Sequence, residues 1–357
     1  MSALLEAAVE YAAVEQLHEL GCTDGLPVIV PTAVRVERMV LATGLDGDLV
    51  LGQMGPMLGA ATVEKVAIAA VMAGCTPDHI PVVVASVQAV CDPAFDLTEM
   101  QGTTHCIAPL LIVNGPARHA CGPIAARFGA LGPGHRANAS IGRALRLCMM
   151  NLGGARPGTS DMALLGHPGK FTYCLAEDEE ASPFTPLHVG LGFAPEDSTV
   201  TVAGVEGPHS VICVTDADDP DSPQRLLRAL ATSLANVGSN NAHVGTGVAV
   251  VVVNPDHATA LARAGYDRTK VSEALCELAV NRRGDLRRVN PSMARRGSDD
   301  DLVAAFARPE DILVVQAGGG GLYSMVMPSW CAGPHANRSV TRRIDLNPAC
   351  EIPGAGR

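Results

Sequence analysis

Short apolar runs, each closed by a turn signal and separated by capped helical stretches, limit what this chain can fold into more than any other feature. Ile107–Val113 is apolar, β-branched in part, and ends at Asn114-Gly115-Pro116, which reads as a strand and turn. Val200–Val202, Val211–Val214, Val248–Val253 and Asp311–Ala317 read the same way, and Lys170–Ala176 alternates like a strand. Helices with start and stop signals lie between them. Thr32 caps one through Ala42 with Gly44 beyond it, and Thr62 caps Val63–Ala73 with Gly74 beyond it. Asn138 caps another, to Asn151, which Gly153-Gly154 terminates. Thr76-Pro77 favours a helix to Val90 over the strand that Ile80–Val84 suggests, and Leu4–Leu20 is an amphipathic helix. Strands alternating with helices predict an α/β fold.

A chain of 357 residues, 47% apolar and 18% charged, can bury a large core and divides most naturally into two domains. The expected division is a mixed α/β domain over 1–195 and a second over 196–357, with Gly-rich loops at strand ends in both. The net charge of −11 opposes binding to a phosphate backbone, so no nucleic-acid partner is expected. No apolar run reaches the roughly 18 residues of a spanning helix, and the Glu-bearing start of the chain does not resemble an export signal. The expectation is a cytoplasmic protein without a membrane partner. Sparse charge on a large apolar chain also suggests a homo-oligomer.

Eleven cysteines are present but none forms a CxxC pair, and their odd number argues against a disulfide framework. H-x-x-x-H and H-E-x-x-H are missing as well, so no cofactor and no metal ligand is assigned, though a metal site assembled from distant loops would be invisible at this level.

Polar chemistry concentrates between Gln101 and Gly158. Thr104 and His105 precede the Ile107–Val113 strand and Asn114 follows it, placing them to orient a substrate. Gly132-Pro-Gly-His-Arg136-Ala-Asn138 runs into a helix, and amides at such an N-terminus favour an anion that Arg136, Asn138 and Arg143 would hold. The plain alternative is tight turns and a solvated arginine face. Gly318–Gly321, with Gly319 and Gly320 at its centre, follows the Asp311–Ala317 strand and leads to a helix expected from Leu322, with Ser324 among the nearest side chains.

For catalysis, Cys75 sits where a helix N-terminus would depress a thiol pKa. His105 is a candidate base, and His119 and Cys121 could share a face in an extended segment. In the acidic run Glu177–Glu180, Asp178 and Glu179 read as a solvated loop, while Glu177 or Glu180 could face the pocket or pair with Lys170 or Arg143. Asp161 is a comparable candidate.

Several segments together resemble a bacterial family associated with Cys- or selenocysteine-Gly-Ser-Cys proteins, the UGSC proteins. They include DGLPVIVPT (Asp24–Thr32), LGPGHRANASIGRALRL (Leu131–Leu147), GHPGKFTYCLAEDEEASPF (Gly166–Phe184) and ILVVQAGGGGLYS (Ile312–Ser324). The resemblance spans most of the chain and implies a metabolic or biosynthetic enzyme. This chain has no Cys-Gly-Ser-Cys of its own, so the dithiol chemistry of that motif has no residues here.

The expectation from all of this is an enzyme acting on a small anionic, carboxylate-bearing metabolite in an interdomain cleft. Its reaction would be that of a lyase or hydrolase with Cys75, His105 or Glu177 as nucleophile or base. Thr104, Asn114, Arg136, Asn138, Arg143, Asp161, Lys170, Gly319, Gly320 and Ser324 would bind substrate. A thiol- or metal-dependent oxidoreductase and a non-catalytic subunit of a larger enzyme remain the alternatives.

Overall fold

The computed structural model describes residues 5–293, 296–329 and 337–346. Leu4, Cys331 and Cys350 lie outside the described residues. Twelve described strands run in chain order: β1 (Val50–Met54), β2 (Gly59–Thr62), β3 (Ala108–Asn114), β4 (Cys174–Ala176), β5 (Thr199–Val205) and β6 (His209–Ile212), then β7 (Ala249–Val253), β8 (Val280–Arg282), β9 (Leu302–Ala304), β10 (Ile312–Gln316), β11 (Tyr323–Met327) and β12 (Val340–Arg343). Two four-stranded sheets dominate, ordered β12-β5-β3-β4 and β10-β7-β11-β6. Both are mixed. The pairs β3/β4 and β7/β10 are parallel, whereas β5 runs antiparallel to β3 and β11 antiparallel to β7.

Side-chain alternation sets the layers, because successive residues of a strand face opposite sides. Leu110, Ile112, Leu175 and Ala203 of the first sheet share one core with Val250, Val252, Leu313 and Val315 of the second. The two sheets are therefore packed face to face. The opposite faces are covered by helices: Leu111, Val113, Cys174 and Val202 pack with the helices Ala33–Thr43, Val63–Ala73, Ile80–Val90 and Arg136–Asn151. Val251, Val253 and Val314 pack under Ser222–Leu234, Pro255–Arg263 and Arg268–Leu278. The result is a mixed α/β fold of four layers, helix, sheet, sheet, helix. The first sheet takes strands from both halves of the sequence, since β5 and β12 follow residue 195. Among the described residues no helix is long and apolar enough to cross a membrane.

The local signals act as expected at the helix starts. Thr32 and Thr62 each accept the N–H three residues on, and Gly44 and Gly74 take left-handed conformations just past the helix ends. Pro77 opens a short 3-10 turn that runs into Ile80–Val90, so the Thr76-Pro77 signal outweighs the β-branched run.

Four local expectations need correction. The N-terminal helix covers only Glu10–Glu19. Asn138 is not a cap: the helix starts at Arg136, and the buried Asn138 amide instead binds neighbouring backbone. The Lys170 end of the expected strand is a 3-10 turn over Pro168–Lys170, which leaves a strand of only Cys174–Ala176. Gly318–Gly321 leads into β11 rather than a helix, because Met325–Met327 pair with β7 and Tyr323–Val326 with β6, with Ser324, Val326 and Met327 buried while Tyr323 faces out.

Candidate functional site

β3 and β4 are parallel neighbours with Val113 beside Ala176, so their carboxyl ends leave the sheet side by side. In open α/β sheets this is the edge where ligands bind. After β3 the chain turns at Gly115 into the short helix Ala117–Ala120, and after β4 it enters Glu177–Glu180. Gly115 is needed here: its φ is +74°, and a Cβ would run into the Asp197 carbonyl.

The two exits are bound together by charge. Asn114 Nδ2 donates to Glu177 Oε2 at 2.6 Å and to Glu179 Oε1 at 2.8 Å, and the Gly115 N–H donates to Glu179 Oε1 at 2.8 Å. Glu177, wholly buried, also accepts from the Leu187 N–H at 2.8 Å and pairs with Arg268. Arg118, also buried, grips Glu180 through two parallel bonds of 2.9 and 2.8 Å and reaches Glu179 at 3.0 Å. That grip from Arg118 pulls the Glu180 carboxyl down to about 2. Asp178 is buried and paired with Arg127 at 3.0 Å. The acidic run is thus no solvated loop at Asp178 and Glu179: three arginines fold it onto the strand ends.

A cleft of about 450 Å³ opens on this cluster, lined by Arg118, His119, Arg127, Phe128, His135 and Glu180 among others. The lining segment around Ala125 is held by the buried Asn138, which accepts from the Ala125 N–H at 2.8 Å and donates to the Ala125, Ala130 and Cys174 carbonyls. His135 stands at the N-terminus of Arg136–Asn151, a helix without an acid in its first turn. The second Gly-rich loop packs against two of the lining residues, Ala126 and Phe128. Gly318 N–H donates to the Ala126 carbonyl at 2.8 Å, and the Phe128 ring lies so close over Gly319 that a Cβ there would overlap it. Gly320 lies beside Asp256, which accepts the Gly321 N–H at 2.8 Å.

At the mouth, His119 Nε2 lies 3.3 Å from Glu180 Oε1. An ionised Glu180 can only accept, so Nε2 carries the proton and Nδ1 is left as the basic nitrogen. Two Arg127 nitrogens, Nε and Nη2, reach Asp178. The guanidinium has five N–H groups and is largely exposed, so donors remain for a ligand.

Of the residues singled out from sequence, the structure brings Asn114, His119, Asn138, Glu177, Glu180, Gly319 and Gly320 to this region. It places the others elsewhere. Arg136 donates to the Gly74 carbonyl at 3.0 Å and so seals a helix end. Arg143 makes a bidentate pair with Asp24, both bonds 2.8 Å. Thr104, exposed, and His105 sit at the other end of β3, about 20 Å away by strand rise. There His105 bonds Glu206 at 3.0 Å and Asn240 at 3.1 Å. Asp161 and Lys170 pair at 2.9 Å near that same end. Ser324 is buried against His257, 2.6 Å from Nδ1.

Cys75 does not have the expected thiolate character. It is buried in the helical core beside Cys148 and Cys174, and burial pushes its thiol far up, as it does for Cys148. His119 and Cys121 do not share a face either, because the segment is helical, with Cys121 buried and His119 exposed. Among the described residues no group of three or more His, Cys, Asp or Glu side chains is placed to hold a metal ion.

Arg118, Arg127 and Arg268 carry the cluster without having been singled out from sequence. One signal could have flagged part of it: Arg118-His119 lie just past the Asn114-Gly115-Pro116 turn that closes the Ile107–Val113 run, and Glu177 directly follows the apolar Tyr173–Ala176. A search against protein-family models finds no match, and a search against curated proteins finds none.

Proposed function

We propose that this protein is an enzyme acting on a small carboxylate-bearing metabolite in the cleft at the β3 and β4 carboxyl ends, by acid–base chemistry of the lyase or hydrolase type. The observation that carries this reading is the linked set Arg118, Glu180 and His119 on the wall of a cleft that also presents Arg127 and His135. In it, Arg118 keeps Glu180 ionised, Glu180 fixes the tautomer of His119, and His119 Nδ1 takes a proton from substrate or water. Arg127 supplies the charge-assisted donors that a carboxylate requires, and the amides at the start of Arg136–Asn151 add a favourable field.

Glu177 serves here as a positioning group, because both of its oxygens are bonded within the protein. The buried, protonated thiols support acid–base chemistry over a thiol nucleophile at Cys75. Turnover of a carboxylate panel tests the reading. His119→Gln should abolish turnover without loss of fold, and full activity in that variant would refute the assignment. We extend the proposal to a homo-oligomer and to the family that the segments resemble.

A further inference from the structure

A second buried polar cluster lies where Arg136–Asn151 crosses the start of β3. Asp161 accepts from Arg146 Nη2 at 2.8 Å and from Lys170 Nζ at 2.9 Å. All three side chains are nearly enclosed, at 4, 11 and 13% exposure for Asp161, Arg146 and Lys170. Two cations share one carboxylate, which leaves one positive charge over.

Beside them is a cavity of about 10 Å³, the room that a single water-sized body needs. Ile107, Leu145 and Met149 make its apolar wall, and Gln101, Arg146 and Lys170 its polar one. Gln101 is wholly buried and its Nε2 has no partner, while its Oε1 is turned to Arg146 Nη1 at 3.5 Å. Tyr173, also on the wall, commits its hydroxyl to the Glu206 carbonyl at 2.9 Å. The side-chain groups left for an occupant are therefore donors. Cys106 and His167 also lie near Lys170, and Glu206 is engaged by His105 at 3.0 Å.

Water would accept from the Gln101 amide but leave the excess charge buried and unbalanced, which is costly. A monoatomic anion meets both needs. We infer that this cavity is a halide site, filled by chloride held between Gln101 Nε2, Arg146 and Lys170. It is separate from the carboxylate cleft and ties the helix Arg136–Asn151 to the turn before β4.

Crystals of the full chain soaked in bromide test this directly. An anomalous peak within bonding distance of Gln101 Nε2 is expected, and a cavity without anomalous signal, holding only water, overturns the inference. In solution, Tm in sodium chloride should exceed Tm in sodium gluconate at equal ionic strength by about 1–2 °C. Gln101→Glu supplies the missing negative charge itself, so it should raise Tm in gluconate and remove the chloride increment. Equal Tm values for the wild-type chain in the two salts would equally overturn the site. So would chloride dependence lost in Cys106→Ser and unchanged in Gln101→Glu, since the anion would then answer to Cys106 and not to the Gln101 amide.

Discussion

Arg118 and Glu180, which lie 62 residues apart in sequence, meet in a fork-to-fork ion pair with both N–H···O bonds under 3 Å. Arg118 also reaches Glu179 and two backbone carbonyls, those of Gly115 and Glu177. The pair fastens the turn after β3 to the turn after β4, and it is this fastening that shapes the cleft.

Removing Arg118 should therefore cost more than a surface ion pair does. Arg118→Met releases the half-exposed Glu180 to solvent and leaves the mostly buried Glu179 with the Asn114 amide and the Gly115 N–H, so a loss of about 1–3 kcal/mol is expected, short of the cost of a fully buried pair. Urea unfolding of the variant should show that loss, and a change under about 1 kcal/mol would mean that the network contributes as little as an exposed bridge.

Gly115→Ala should destabilise through the backbone. The position has φ +74° and a Cβ would meet the Asp197 carbonyl. A cost above about 1 kcal/mol is expected where the native conformation excludes the new side chain. Gly318→Ala, also at positive φ but with open space around it, should cost less.

Strand existence, helix caps and the α/β class could be read from the sequence, because they depend on residues within a few positions of one another. Thr62 with Gly74 marks a helix whatever the helix packs on. The cluster at the strand ends could not be read. Its geometry depends on β3 and β4 being parallel neighbours in one register, and Glu177–Glu180 has the same composition as a solvated loop until Arg118, Arg127 and Arg268 arrive from elsewhere in the chain. Asn138 shows the same limit. Its residue type fits a cap, but tertiary contacts moved the helix start to Arg136 and used the amide to build the loop. Cys75 shows the limit again: a local helix start says nothing of the burial that governs its thiol.

That burial has a direct consequence for labelling. Native protein treated briefly with iodoacetamide should carry no label at Cys75, Cys148 or Cys174, all fully enclosed thiols, and should take it up there only after unfolding. Rapid native labelling at Cys75 would restore it as a nucleophile candidate.

His167 gives the chain a pH-dependent contribution. Burial first, and then the nearby Lys170 ammonium, pull its imidazole from 6.5 down to about 4. The fold holds the neutral form, so this contribution is complete above pH 6.5 and is lost as the pH falls from there towards 4. Unfolding free energy measured across that window should decline, and His167→Gln should flatten the decline. An unchanged slope in the variant would assign the loss to other groups.

The carboxylate cleft itself is tested most directly by calorimetric titration with malonate, comparing the wild-type chain with Arg127→Ala. Saturable binding is expected to weaken by about tenfold or more in the variant, the loss of one charge-assisted pair at about 1.5–3 kcal/mol. Binding of equal strength in both proteins, or none to the wild type, would contradict the assignment of this cleft to a carboxylate substrate.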